Sequence, residues 1–292
     1  MIVGWPVSRS ATAGKTTVDT FILKRHFARI GAELNVVIRP AAAQRFSRPV
    51  LQRDRGLRDF ALDVTAQRRT EVFTLAVRED VQDDLDFVAL DVQPKARHLL
   101  LMARRPTAFD KFLCGHDERH WFVTGLPNDV RTVRDALEAL KPQVVQTAQL
   151  ASHLRGKERV RRRNAAFLRQ GEWFFLPRSQ LAVDDHLILR HEPIQRSGSK
   201  PHIVAELYRQ GGEAVYVHNR FAPGGLPESE YRAFIQRTAE ANGAGWRLMR
   251  RNMEVYARGK VRHPDHATLA LPFWHLVVMN AEPRSENVVF LD

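Results

Sequence analysis

Strand-length segments in which apolar and polar residues alternate recur along this chain of 292 residues. One series of them extends from Phe60 to Met102, and further strand-like runs appear at Glu172 to Leu176, Ile203 to Tyr208 and Glu254 to Ala257. Alternation with a period of two is typical of strands that bury one face. Because the runs follow one another closely, we predict antiparallel sheets.

Three segments carry helical spacing instead. Residues 17–30 place Val18, Phe21, Ile22, Phe27 and Ile30 at mostly three- and four-residue intervals, and Gly31 follows as a stop. Residues 128–140 and 227–241 show similar patterns, with Pro142 after the first and Pro227 opening the second. The sequence therefore predicts an α+β fold that is antiparallel and strand-rich, with a few packed helices.

The length of the chain exceeds that of a usual single domain. A strongly basic stretch near the middle is a natural boundary between two domains. We predict an N-terminal α+β domain at residues 1–150, a basic connecting segment at 151–164 and a C-terminal α+β domain at 165–292.

Cysteine content and hydropathy bear on the compartment. Cys114 is the only cysteine, so no disulfide can form within the chain. The first residues lack the basic start and long apolar run of a secretory signal, and no window approaches 18 consecutive apolar residues. We expect a cytoplasmic protein without a membrane span.

The charge balance points to an anionic partner. The formal net charge is +12, and 37 of the 45 basic residues are arginines. Such an excess concentrates anions at the surface, and phosphate polymers are the commonest of them. Guanidinium groups bind phosphate oxygens in bidentate fashion and stack on bases, although a GC-rich genome also favours arginine over lysine.

Seven basic residues are concentrated between Arg155 and Arg169, where Glu158 is the only acidic residue. These candidate nucleic-acid-binding residues are Arg155, Lys157, Arg159, Arg161, Arg162, Arg163 and Arg169. If the segment is helical, its charges cover a broad face that follows a phosphate backbone, with Ala165 to Leu168 as an anchor. The alternative is an exposed linker that is basic because it is solvated.

A histidine-rich stretch is the best candidate for catalysis. Pro264-Asp265 favours a tight turn, which places His263 and His266 opposite each other on adjoining strands. With Asp265 and His275 they are the predicted catalytic residues, and His263, His266 and His275 are the predicted metal ligands. The alternative is a hairpin whose histidines face solvent.

A second histidine group lies at Cys114 to His120. On a strand or on a helix, His116 and His120 can approach each other, and Cys114 is a possible third ligand or a nucleophile. The alternative is a polar strand end at the surface.

These features predict a nucleic-acid-binding protein that contacts backbone phosphates, with DNA and RNA equally open. Two alternatives stay open: a metal-dependent phosphodiesterase or nuclease using zinc or magnesium, and a non-enzymatic adaptor for an acidic protein partner. Whether the protein is an enzyme is not decided by the sequence.

Overall fold

A computed structural model of the chain describes residues 20–40, 59–67, 70–195 and 200–281. Contacts divide the described residues into two compact units, one of residues up to 140 together with 281, and one of residues 141–280. The α-helices among the described residues are α1 Thr20–Arg29, α2 Val133–Ala139, α3 Gln143–Ala151 and α4 Glu228–Arg237. The strands of the first unit are β1 Leu34–Arg39, β2 Phe60–Gln67, β3 Thr70–Arg78, β4 Asp86–Gln93, β5 His98–Arg104, β6 Phe109–Asp117 and β7 His120–Leu126. Those of the second are β8 Leu168–Gln170, β9 Trp173–Pro177, β10 Leu189–Ile194, β11 His202–Gln210, β12 Glu213–His218, β13 Ala222–Leu226, β14 Arg247–Arg251, β15 Glu254–His263 and β16 His266–Met279.

Two sheets build the first unit. One has the order β1-β3-β2, in which β1 and β3 are parallel, and the other is the antiparallel series β4-β5-β6-β7. Residues of both sheets and of α1 share one apolar cluster, which includes Phe27, Phe60, Phe73 and Phe112. The predicted meander from Phe60 to Met102 is therefore divided between two sheets.

The apolar face of α1 differs from the prediction. Leu23, Phe27 and Ile30 are buried, whereas Phe21 and Ile22 are 70% and 50% exposed. The buried set has the i, i+4, i+7 spacing that keeps side chains on one helix face. The first three residues of the predicted helix lie outside the described residues.

The helix predicted at residues 128–140 is shorter than expected, and a second short helix follows it. α2 begins only at Val133, because Thr132 and Asp135 form a capping box with reciprocal hydrogen bonds. Pro142, predicted to close the helix, stands just before the start of α3. Proline suits such a position because the first helical N–H groups lack partners within the helix.

The second unit is built around an antiparallel six-stranded sheet of order β10-β11-β15-β16-β9-β8. Phe174 and Phe175, neighbours on β9, belong to two different apolar clusters. Successive side chains of a strand point to opposite faces, so both faces of this sheet are covered. A smaller sheet, β13-β12-β14, has contacts with α4.

β16 continues through Pro272 without a break. A bulge accommodates the proline, since Gly259 pairs with Leu271 whereas Ala257 pairs with His275. A bulge leaves residues out of the hydrogen-bond ladder, and proline is tolerated there because it has no N–H to contribute.

The α+β, strand-rich and mainly antiparallel fold class is confirmed by these sheets. The described helices are all too short to cross a lipid bilayer. The basic connecting segment predicted at residues 151–164 lies among the residues of the second unit, and the two-domain organisation stays a prediction.

Candidate functional site

The basic segment Arg155–Arg169 is an irregular, folded-back loop that follows α3 and ends within β8. It opens with a short 3₁₀ helix at Gly156–Glu158 and closes with a bridge between Arg163 and Leu168. The helical conformation that would have spread its charges over one broad face is not formed. If the basic side chains share one surface, the contacts that fix the loop must bring them together.

Asn164 holds the turn of this loop through four hydrogen bonds. Its side-chain oxygen accepts from the backbone N–H groups of Ala166 and Phe167, at 2.9 and 3.0 Å. Its side-chain nitrogen donates to the carbonyl oxygens of Glu158 and Arg161, at 3.3 and 3.2 Å. An asparagine that uses both ends of its amide in this way fixes the backbone on both sides of the turn.

Buried donors and buried apolar residues anchor the same loop to the rest of the unit. Lys141 and Gln149 are 4% and 0% exposed, and both donate to the carbonyl oxygen of Arg159 at 2.7 Å. Ala166 and Phe167 lie in an apolar cluster of this unit. The segment is therefore a fixed part of the fold and not a solvated linker.

Four cations of the loop face solvent: Arg155, Lys157, Arg161 and Arg163. Among the residues that the structure describes, no carboxylate lies within ion-pair distance of them. The other three, Arg159, Arg162 and Arg169, are half-buried. Positive charge on the exposed side of the loop is thus left without internal compensation.

Arg162 and Arg169 lie side by side, since the N–H of Arg169 donates to the carbonyl oxygen of Arg162 at 2.7 Å. The pKa of Arg162 is lowered, first by burial and then by the positive charge of Arg169. Two like charges held together in a partly desolvated place repel each other, which disfavours the charged form of Arg162.

A second site lies in the same unit, where three histidines from three strand ends meet. His202 begins β11, His263 ends β15 and His266 begins β16, with His263 and His266 opposite each other across the hairpin. Their metal-ligating atoms all lie within 4.8 Å of one another. In the described part of the chain, no other set of three histidine, cysteine or carboxylate side chains is this close.

The three imidazole rings are stacked. Ring centroids are 4.2 Å apart for His202 and His263, 4.6 Å for His263 and His266, and 5.6 Å for His202 and His266. Three protonated rings at these distances would repel one another strongly, so the arrangement suits neutral imidazoles. Neutral imidazole is also the form that binds metal ions.

His202 is the buried member, with 1% of its surface exposed. Neither of its ring nitrogens has a hydrogen-bond partner among the described residues. Burial, followed by the charges of His263 and His266, lowers the pKa of His202 to about 3. The pKa of His263 is lowered as well, first by burial and then by His266.

Gly171, in the turn between β8 and β9, covers the cluster. A Cβ added there would lie 2.9 Å from Nε2 of His266 and 3.4 Å from Nε2 of His202, so those two nitrogens converge on the space that a side chain would fill. The backbone of Gly171 has φ +57°, a conformation that favours glycine. Its carbonyl oxygen accepts from Nε of Arg169 at 2.8 Å, which connects the histidine cluster to the basic segment.

The structure brings together only part of the predicted histidine site. Asp265 is in the turn beside the cluster, but its carboxylate pairs with Lys200 at 2.8 Å, and its N–H donates to Nδ1 of His263 at 3.1 Å. His275 lies nine residues beyond His266, about 30 Å along an extended strand. It is buried against Phe273, whose carbonyl oxygen is 2.7 Å from its Nδ1.

The structure does not bring Cys114, His116 and His120 together. Cys114 is fully buried in the core of the first unit, and burial raises the pKa of its thiol. His116 pairs across the hairpin with Trp121, whereas His120 pairs with Asp117, which places the two histidines on opposite faces. His120 contacts Glu71, with 2.5 Å between Nδ1 and Oε1.

Sequence reasoning missed His202. It stands about sixty residues before the hairpin, and only the pairing of β11 with β15 brings it beside His263. No rule based on sequence spacing predicts that strand pairing.

Comparisons with protein-family models, with curated proteins and with solved structures found no match to this chain.

Proposed function

We propose that this protein binds nucleic acid, and that the basic loop Arg155–Arg169 contacts the phosphate backbone. The observation that carries the proposal is the combination of a fixed loop with four exposed, uncompensated cations. Sequence-independent contacts to phosphate account for most of the affinity in such interfaces.

Rigidity of the loop favours binding over simple solvation. A solvated charged linker gains nothing from ordered backbone, whereas a binding loop that is already ordered loses less entropy when it meets its ligand. Asn164, Lys141 and Gln149 supply that order without using any of the exposed cations. The backbone that carries the charges is therefore ordered before a ligand arrives.

A polyanion fits this loop better than a single small anion. Seven cations are spread over fifteen residues, more than one phosphate can contact. The four exposed cations offer several places for phosphates along the same loop. Contacts of this kind do not read base sequence, so weak sequence preference is expected.

The two alternatives make different demands. A nuclease requires a metal ion near the phosphate, and the contact between Arg169 and Gly171 is the one observation that favours it. An adaptor for an acidic protein requires only the charged loop. The cytoplasmic location stays a prediction and is compatible with each of these functions.

Fluorescence anisotropy with labelled oligonucleotides of about 20 residues tests the proposal. The test variant carries Arg155→Gln, Lys157→Gln, Arg161→Gln and Arg163→Gln. The control carries Arg104→Gln, Arg190→Gln, Arg220→Gln and Arg232→Gln, which are exposed arginines that each pair with a carboxylate. Both variants lose four positive charges from the formal +12.

We expect the test variant to bind on the order of 100-fold more weakly than the wild type, and the control to stay within a few-fold of it. Single-stranded RNA, single-stranded DNA and duplex DNA compared side by side identify the preferred form. Equal loss in both variants would contradict the proposal. Tight binding of a polyglutamate peptide without binding of any oligonucleotide would favour the adaptor.

A further inference from the structure

We propose that His202, His263 and His266 form a binding site for one divalent transition-metal ion, with zinc as the best match. The inference goes beyond nucleic-acid binding and does not depend on it. Three imidazoles from separate strands, with ligating atoms all within 4.8 Å of one another, are the spacing that a shared ion requires.

The unpartnered nitrogens of His202 are the second observation. Buried polar atoms nearly always have hydrogen-bond partners, and those that lack one call for a bound ion or water. His202 is 1% exposed, and both its nitrogens lack a partner among the described residues. A metal ion coordinated by one of them would satisfy that nitrogen.

Gly171 gives the location of the ion. Nε2 of His202 and Nε2 of His266 both face the space that a Cβ at this residue would occupy, at 3.4 and 2.9 Å. Zinc binds imidazole nitrogen at about 2.0 to 2.1 Å, so an ion between these nitrogens requires the space to be free of side-chain atoms. Glycine leaves it free.

The kind of ligand selects the kind of metal. The cluster offers only imidazole nitrogen, because the nearby carboxylate of Asp265 pairs with Lys200. Imidazole suits zinc, copper, nickel and cobalt, whereas magnesium prefers oxygen ligands. The choice between zinc and magnesium that the sequence leaves open is thus resolved in favour of zinc within this proposal.

Three protein ligands leave a fourth tetrahedral position open, as in catalytic zinc sites. Coordination through Nδ1 of His263 would replace the hydrogen bond that the Asp265 N–H now donates to that atom. Metal binding should therefore change the environment of the Asp265 amide. This gives a readout that is independent of any catalytic activity.

The test is a titration of the chelator-treated, folded chain with Zn²⁺, Co²⁺ and Mg²⁺, followed by calorimetry and by cobalt absorption. We expect one equivalent of Zn²⁺ or Co²⁺, an intense visible cobalt band typical of tetrahedral coordination, and no binding of Mg²⁺. In an amide NMR spectrum, the Asp265 resonance should shift on addition of Zn²⁺. Absence of one-to-one binding of Zn²⁺ and Co²⁺ would overturn the proposal.

Two pairs of variants separate the site from general effects on folding. His266→Gln should weaken Zn²⁺ binding on the order of 100-fold, whereas His275→Gln, a buried histidine outside the cluster, should leave it unchanged. Gly171→Ala should abolish binding by filling the space. Gly211→Ala has a similar backbone, with φ +68° and nothing within 4 Å of the added Cβ, and should bind normally.

Circular dichroism and the melting temperature identify any variant that has lost its fold. If His266→Gln or Gly171→Ala is unfolded, His263→Gln serves as the test variant in its place. Unchanged binding in both His266→Gln and Gly171→Ala, with each of them folded, would contradict the assignment. An equal loss of Zn²⁺ binding in His275→Gln would also contradict the assignment, because the ion would then lie outside the cluster.

Discussion

The basic loop and the histidine cluster lie in the same unit and differ in how they are assembled. The loop is contiguous in sequence, exposed and held by hydrogen bonds to its own backbone. The cluster is gathered from three strand ends and is partly buried. A local feature of the sequence thus gave the charged surface, whereas the cluster depends on long-range strand pairing.

Their electrostatics are opposite in kind. In the loop, cations stay charged and exposed, so they attract anions and respond to salt. In the cluster, burial and nearby histidines lower the pKa values of His202 and His263, which favours the neutral imidazoles that offer lone pairs. Experiments that vary salt should therefore act on the loop, and experiments that vary pH or metal should act on the cluster.

Acid is expected to have the largest effect on the free energy of unfolding. His202 has a pKa of about 3 in the folded chain, against about 6.5 for an unperturbed histidine. Above pH 6.5 neither state binds the proton. Between pH 6.5 and 3 only the unfolded state binds the proton. As the pH falls through that window, His202 therefore lowers the free energy of unfolding by about 1.4 kcal/mol per pH unit. Below pH 3 both states bind the proton, and the decrease stops.

Denaturant unfolding of the wild type and of His202→Gln across this range measures that contribution. As the pH falls, the free energy of unfolding should decrease less steeply in the variant than in the wild type. The difference in slope corresponds to the uptake of up to one proton on unfolding. His275→Gln serves as the comparison, because burial also lowers the pKa of His275 but no charged neighbour adds to it. A slope that is the same for the wild type and for His202→Gln would show that His202 titrates normally in the folded state.

Loss of the Asn164 side chain is expected to have the next largest effect. Asn164→Ala removes four hydrogen bonds, each worth about 0.5 to 1.5 kcal/mol net, so we expect a loss of about 3 kcal/mol in the free energy of unfolding. All cations are kept, and any fall in nucleic-acid affinity, on the order of tenfold, reports on loop order alone.

Asn164→Asp provides the graded control. It keeps the two hydrogen bonds accepted from Ala166 and Phe167 and loses the two donated to Glu158 and Arg161. Its stability should fall between the wild type and Asn164→Ala. Full affinity in a folded Asn164→Ala variant would show that a disordered loop binds equally well.

The smallest expected effect is on stability when the exposed cations are removed. The test variant with four glutamines in the basic loop should change the free energy of unfolding by less than about 0.5 kcal/mol, because no ion pair is lost among the described residues. The control variant breaks four exposed ion pairs and should lose about 1 kcal/mol in total. Thermal or urea unfolding compares them.

Part of the histidine cluster could be predicted from the sequence. Pro264-Asp265 predicted the turn that sets His263 against His266, and the structure has that pairing. His275 was included because it was expected on the following strand, but β16 is one continuous strand and carries His275 away from the turn. His202 was missed because which strands pair, and in which register, depends on the whole sheet.

Local backbone conformation was harder to predict in the basic loop. The run of arginines is compatible with a helix, yet Asn164 competes by offering hydrogen bonds to the backbone on both sides of a turn. Of the predicted anchor Ala165 to Leu168, Ala166 and Phe167 are buried, whereas Ala165 is exposed. Charge and anchoring were thus accessible from sequence, and the shape of the loop was not.

The salt dependence of oligonucleotide binding is the most direct test of phosphate contact by the basic loop. We expect the logarithm of the association constant to fall linearly with the logarithm of salt concentration, and the slope for duplex DNA to become shallower by about three to four in the basic-loop variant, with the control variant unchanged. A wild-type slope near zero, or the same slope in both four-charge variants, would contradict it.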